Sequence, residues 1–184
     1  MIWGALILLL VGAVIALLAQ RFVGFGSERV ADWAGKGPAF DPRLHLAGPL
    51  LCEGVIYGPF GRVSSRFVAE MQGEWQGNRG VLRERFTYDS GEVQERAWQL
   101  TLGNDGAVRA EAGDVVGAAA GVVAGPALRL LYDLRLPSAQ GGHVLRVVDW
   151  MYLAPNGTIL NRSQFRKFGF KVAELVATMR RIPA

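Results

Sequence analysis

The chain has 184 residues, and with roughly 20 set aside for an apolar N-terminus the remainder is the size of one ordinary domain with a real core. Seventeen arginines and three lysines against 16 acids give a formal charge of +4. The basic residues are spread along the chain and interleaved with acids, and the lack of any basic tract argues against nucleic-acid binding. Cys52 is the single cysteine, which excludes an internal disulfide and a cysteine-based zinc site and leaves the redox compartment open.

Residues 2–19 are an unbroken run of 18 uncharged, mostly apolar residues, and Arg21 ends the apolar stretch, so it is long enough to cross a hydrocarbon core as a helix. Trp3 and Phe22 stand near its two ends, where aromatic rings favour the membrane interface. A cleaved signal peptide competes with this, but the run lacks a basic leading segment, and Leu17-Leu18-Ala19-Gln20 is a poor cleavage site. A retained transmembrane anchor over residues 1–21 is therefore expected. Arg21, Arg29 and Lys36 follow the run and no basic side chain precedes it, which by the positive-inside rule argues for a cytoplasmic domain.

Residues 22–46 carry Gly35-Lys36-Gly37-Pro38 and Asp41-Pro42 and are expected to form an extended or irregular linker. From residue 47 to 184, short runs of alternating apolarity are broken by turn residues at Gly58-Pro59, Gly77-Asn78, Asp89-Ser90-Gly91, residues 103–106, residues 138–142 and Pro155-Asn156-Gly157. That spacing predicts eight to ten antiparallel strands. No helical stretch separates them, so the fold is expected to be all-β, a barrel or a sandwich, rather than built of parallel βαβ units.

Two segments fit less easily. Residues 115–128 carry no charge and hold Gly117, Gly121 and Gly125 at four-residue spacing, like a membrane helix face, but the stretch is short and contains Pro126. Two buried strands joined by a glycine-rich bend are expected there. In residues 170–181, Val172, Leu175, Val176 and Met179 fit a helix, while the β-branched residues allow a last strand, which is the narrow preference.

The sharpest chemistry lies in residues 80–102. Leu82, Glu84, Phe86 and Tyr88 share one face of a strand, and Arg96, Trp98, Leu100 and Leu102 share one face of the next. With Asp89-Ser90-Gly91 as a three-residue loop and Gly91 left-handed, Tyr88 pairs with Glu92, which sets Glu84 opposite Arg96, Leu82 opposite Trp98 and Arg85 opposite Glu95. An inward charge is costly unless paired, so Glu84 and Arg96 are expected to form a buried ion pair, structural or ligand-anchoring. Asp149 raises the same question. It alternates with Leu145, Val147, Met151 and Leu153, with Trp150 and Tyr152 on the other face, and Arg162 or Lys167 is expected to neutralise it.

Tests for catalysis mostly fail. His45 and His143 have no carboxylate or cysteine at ligand-like spacing, so no metal site is expected. Ser64, Ser65 and Ser163 lack a nucleophile-elbow context, and no phosphate-binding loop is present.

The stretches Leu82-Arg83-Glu84-Arg85-Phe86-Thr87-Tyr88-Asp89-Ser90-Gly91 through Trp98, residues 114–121, Asp149-Trp150-Met151-Tyr152-Leu153, and Asn161-Arg162-Ser163 to Phe170 together resemble an uncharacterised proteobacterial domain-of-unknown-function family of lipocalin-like proteins. The resemblance covers about residues 40–182. It implies a calycin-type barrel, often exported as a lipoprotein, with no established activity or catalytic residues, and no cofactor is expected. It also implies genomic neighbours that modify membrane fatty acids, and hence a lipid-related role. This chain has no lipobox cysteine after its apolar run, so the tether must be the helix itself. The family's export habit favours an inner-membrane protein with a periplasmic barrel, against the charge count.

The leading expectation is therefore a membrane-tethered module for a lipid or other apolar molecule, without catalysis. Its candidate ligand-binding residues are Glu84, Arg96, Trp98, Phe86, Phe67, Met71, Asp149 and Lys167. The cavity would be elongated, with a polar group near one end. The rival is an accessory protein that acts through a protein partner, its barrel filled by Trp75, Trp98, Phe67 and Phe86. A lipid-modifying enzyme is third.

Overall fold

The structure is a computed structural model that describes residues 2–22 and 24–182, with side chains in the first helix described for residues 3–12, 14 and 15. The chain divides into two compact units, Met1–Asp32 and Trp33–Ala184. The first holds helix α1 (Ile2–Phe22), 21 residues long, followed by a 3-10 turn at Gly24–Ser27. Among the described residues no helix is long and apolar enough to cross a membrane. The spanning anchor expected over residues 1–21 is thus not shown, and the stretch it relies on continues into side chains outside the described residues.

The second unit is a closed barrel of ten antiparallel strands: β1 (Gly48–Tyr57), β2 (Val63–Gln76), β3 (Arg79–Tyr88), β4 (Val93–Leu102), β5 (Ala107–Glu111), β6 (Ala119–Ala124), β7 (Ala127–Arg135), β8 (Val144–Leu153), β9 (Ile159–Lys167) and β10 (Phe170–Arg181). Each strand pairs with the next in sequence, and β1 closes the wall against β10 from Leu50↔Arg181 to Tyr57↔Glu174. Alternation drives this arrangement. On β2, Phe67, Ala69 and Met71 are buried while Val68, Glu70 and Gln72 are exposed, the two-residue period of a wall with one wet and one enclosed face.

All six expected turn clusters fall between strands. The uncharged stretch from residue 115 holds the two strands and the glycine-containing bend expected of it, the first strand beginning only at Ala119. Val115 makes only an isolated bridge to Leu134, β6 begins at Ala119, and Gly125-Pro126 form the tight connection to β7. Residues 170–181 are the closing strand.

One end of the barrel is plugged. The short helix α2 (Pro42–His45) starts at Asp41, whose side chain accepts the Arg43 amide at 3.0 Å, and the chain then turns Leu46 inward. Phe40 and Leu46 are each only 2% exposed. The Phe40 amide donates to the Gly125 carbonyl at 2.7 Å, and the Trp75 indole donates to the Leu46 carbonyl at 3.2 Å. The approach explains Gly73, because a Cβ there would lie 1.7 Å from the Leu46 carbonyl oxygen. The later part of the expected linker therefore belongs to the barrel's core, since two large apolar side chains find burial there.

Candidate functional site

The barrel is hollow. Its interior holds a cavity of about 640 Å³, within the range of small-molecule sites. At the plugged end the wall is Leu46, Leu100, Leu128 and Met179. At the other end the exposed Ser90, Glu92, Arg135 and Gln140 form the margin of an open mouth. All eight residues singled out from sequence line this space.

The β3–β4 register agrees with the one counted from the loop: Glu84↔Arg96, Leu82↔Trp98 and Arg85↔Glu95. Tyr88 donates its amide to the Glu92 carbonyl at 2.9 Å, and Gly91 sits at φ 84°, the left-handed conformation that the three-residue loop requires. The expected ion pair does not follow from that register. Arg96 turns its guanidinium to Asp114, with Nε at 2.9 Å and Nη2 at 2.6 Å from the same carboxylate oxygen. The long arginine side chain reaches past its cross-strand neighbour to a carboxylate held in the bend before β6, where its Nε and Nη2 donors meet a charged acceptor.

Glu84 keeps a weaker set of partners. It is 9% exposed, the Trp98 indole hydrogen-bonds to its carboxylate, and its Oε2 is buried without a hydrogen-bond partner. Burial pushes its pKa up to about 7, against the pull of the nearby Arg96 charge, while Asp149 and Asp114 add to the rise.

Asp149 is buried as the alternation required, at 7% exposure, but neither Arg162 nor Lys167 neutralises it. Arg162 points outward and binds Glu174 at 2.6 Å. Lys167 stands four residues further along β9 than Ser163, the cross-strand partner of Asp149, and lies over the Phe168 ring at the mouth. Two neutral donors serve Asp149 instead: Asn161 Nδ2 and Ser163 Oγ, each 2.6 Å from Oδ1. They project from alternate positions of β9 on the same inward face. Burial raises the Asp149 pKa despite these bonds.

Glu84, Arg96, Asp149 and Ser163 all sit near the middle of their strands, so the polar groups form a belt halfway along the cavity, not at one end as expected. Asp114, Tyr132 and Cys52 complete it, and none of them was among the sequence candidates. Tyr132 packs edge-on against Trp98 at 5.3 Å between ring centres, and alternation with Leu130 and Leu134 on β7 signals its inward direction. Cys52 is buried, and burial first, then the Glu84 and Asp149 charges, push its thiol up to about 12. Among the described residues no group of three or more His, Cys, Asp or Glu side chains is placed to hold a metal ion. Aromatic packing lines the belt's mouth side, where Phe67 meets Phe86 at 5.3 Å and Phe86 stacks on Tyr88 at 6.2 Å.

Several solved structures share this barrel. A protein of unknown function of the DUF3598 family from Nostoc punctiforme PCC 73102 matches 80% of this chain at 13% identity and a TM-score of 0.56, and this chain spans about half (51%) of its length. Rv2717c from M. tuberculosis matches at 14% identity and a TM-score of 0.56, over 80% of this chain and 99% of its own. The S-type phycobiliprotein lyase CPES from Guillardia theta matches at 7% identity and a TM-score of 0.50, over 76% and 90%. At such identities the likeness is one of fold. No curated protein matches the chain. Its sequence from residue 19 to 181 matches the family described as "Protein of unknown function (DUF3833)", and the chain belongs to that family.

Proposed function

We propose that the protein is a membrane-tethered binding module that holds a lipid or another largely apolar molecule inside the barrel. The observation that carries this is the cavity itself: about 640 Å³, walled mainly by aliphatic and aromatic side chains, closed by Leu46 and α2 at one end and open at the other. The rival self-filled interior fits poorly with this geometry, because Phe67, Phe86 and Trp98 line the space without occupying it, and Trp75 lies over Gly80. Phe67, Met71, Phe86 and Trp98 supply apolar wall, Glu84, Arg96 and Asp149 the polar belt, and Lys167 a cation at the mouth. Gentle extraction followed by mass spectrometry tests the proposal. An apolar molecule co-purifying at near-stoichiometric level is expected, whereas a barrel recovered empty that also takes up no added lipid would sink it.

The tether rests on the apolar run of residues 2–19 and the helical backbone of α1. The full-length chain is expected to sediment with membranes and to resist high-salt extraction. A soluble mature chain beginning near Gln20 would refute it. An inner-membrane site with a periplasmic barrel is part of the same proposal, and reporters fused to the barrel end of the chain test it, since a cytoplasmic reporter should stay inactive there.

A further inference from the structure

The belt is lopsided in charge. Among its described residues three carboxyl groups, Glu84, Asp114 and Asp149, share one guanidinium, and both donors that Arg96 directs at a carboxylate already serve Asp114 Oδ2. Asp149 Oδ1 is filled by Asn161 and Ser163. Glu84 Oε2 and Asp114 Oδ1 are left buried with no hydrogen-bond partner. The Glu84 acceptor, on a side chain more than nine-tenths buried in the wall of an open cavity, is costly unless something donates to it.

We infer that the occupant of this cavity carries a hydrogen-bond donor, an amine or a hydroxyl, that seats against Glu84 Oε2 halfway along the barrel, and that a carboxylate-ended chain is disfavoured at this depth. The inference rests on the binding-module proposal and specifies the chemistry of its ligand. Glu84 lies in the inward row between Leu82 and Phe86, with Met71 and Arg96 beside it on the adjacent strands. A donor arriving there meets apolar wall above and below, so the rest of the ligand is apolar on both sides of the polar group. An anionic end would meet two further carboxyl groups in a low-dielectric space, where repulsion is strong, and a guanidinium whose charge is already paired with Asp114. Burial holds the Glu84 proton more tightly than usual, which is the behaviour of a carboxylate that lacks the donor. The cationic groups at the mouth, Arg135 and Lys167, stand at the rim and do not offset the belt.

The test uses the full-length protein in a nonionic amphipol, with empty amphipol as the blank, and isothermal titration calorimetry at pH 8 with octylamine, octanol and octanoate. Octylamine is expected to bind at least about ten-fold tighter than octanoate, with octanol between them. In Glu84→Gln the margin of the amine over the alcohol should fall to within about three-fold, while Asp149→Asn, whose Oδ1 can still accept from Asn161 and Ser163, should preserve it. Octanoate binding as tightly as octylamine, or an amine preference that survives in Glu84→Gln, would overturn the inference and leave the binding module standing. If none of the three probes binds, the binding module itself falls. Thermal unfolding confirms that each variant is folded, and the wild-type ranking carries the test alone if Glu84→Gln is not.

Discussion

Glu84 and Asp149 are two acids buried at similar depth in the same wall, and the barrel treats them differently. Asp149 has two short hydrogen bonds from neutral side chains on the neighbouring strand, and its partners are built into the inward row of β9. Glu84 has the Trp98 indole, a nearby guanidinium engaged elsewhere, and one bare oxygen. Burial raises the pKa of both, yet only Asp149 has an oxygen held by two side-chain donors of the facing strand. A buried charge with its own donors is part of the architecture, whereas a buried charge without them is a place where the protein carries an energetic debt, one that a partner molecule can relieve.

The largest expected effect comes from taking away what the two acids share. Arg96→Ala strips the belt of its guanidinium, leaves Asp114 and Glu84 uncompensated, and should cost about 3 to 5 kcal/mol. Arg85→Ala on the wet face, where a 53% exposed side chain meets Glu95 at 3.7 Å, should cost under about 1 kcal/mol. Denaturant midpoints of the two variants measure the contrast, and equal small losses would mean that the belt is wet.

Glu84→Gln should go the other way. The folded protein holds the Glu84 proton up to about pH 7, whereas the unfolded chain releases it near 4.5. Stability attributable to this group is therefore greatest below about pH 4.5, falls as pH rises toward 7, and stays low above it. Removing the charge should stabilise the protein by about 3 kcal/mol at pH 8 and by nearly nothing at pH 4. Unfolding curves across that range check the sign, and a destabilised Glu84→Gln at pH 8 would contradict the account. Asp149→Leu should instead lose about 2 kcal/mol, because it orphans the Ser163 hydroxyl and leaves the Asn161 amide with the Trp150 carbonyl alone. A gain there would erase the distinction between the two acids.

The smallest expected effect is at Cys52, whose thiol should resist a neutral disulfide reagent at pH 8 in the native protein. Glu84→Gln should speed that reaction more than Asp149→Asn does, since the Glu84 charge weighs more heavily on the thiol. Equal rates would show that Cys52 does not sense the belt unevenly.

What could be derived from sequence follows how locally each feature is determined. The β3–β4 register was legible because three loop residues fix it, and the inward direction of Asp149 was legible because alternation fixes it. The partner of Arg96 was not, because Asp114 lies in a bend beyond β5 and a long flexible side chain chose between two carboxylates. Asn161 and Ser163 carry no charge that would mark them as partners of a buried acid, yet neutral donors at alternate positions of β9 hold Asp149. Gly and Pro around Phe40 and Leu46 give the segment the pattern of a linker, although apolar burial decides where the two side chains go. Whether the barrel is hollow depends on the summed volume of inward side chains from ten strands, which no local pattern carries.

The strands that close the wall, β1 and β10, are the first and last of the barrel. Every hairpin along the chain can form from neighbours, but the seam joins segments more than a hundred residues apart, the kind of loop closure that comes late in folding. Until the seam zips, the ten strands make a curved sheet with two open edges, β1 and β10, and water still reaches the inner face. Glu84 can therefore remain hydrated while its hairpin forms, and the penalty for drying it falls on the final closing step. Substituting it should hasten that step and leave early hairpin formation unchanged. The order of assembly also leaves an interval in which the future ligand space is an accessible surface, so an apolar molecule can be enclosed as the seam forms as well as admitted later through the mouth.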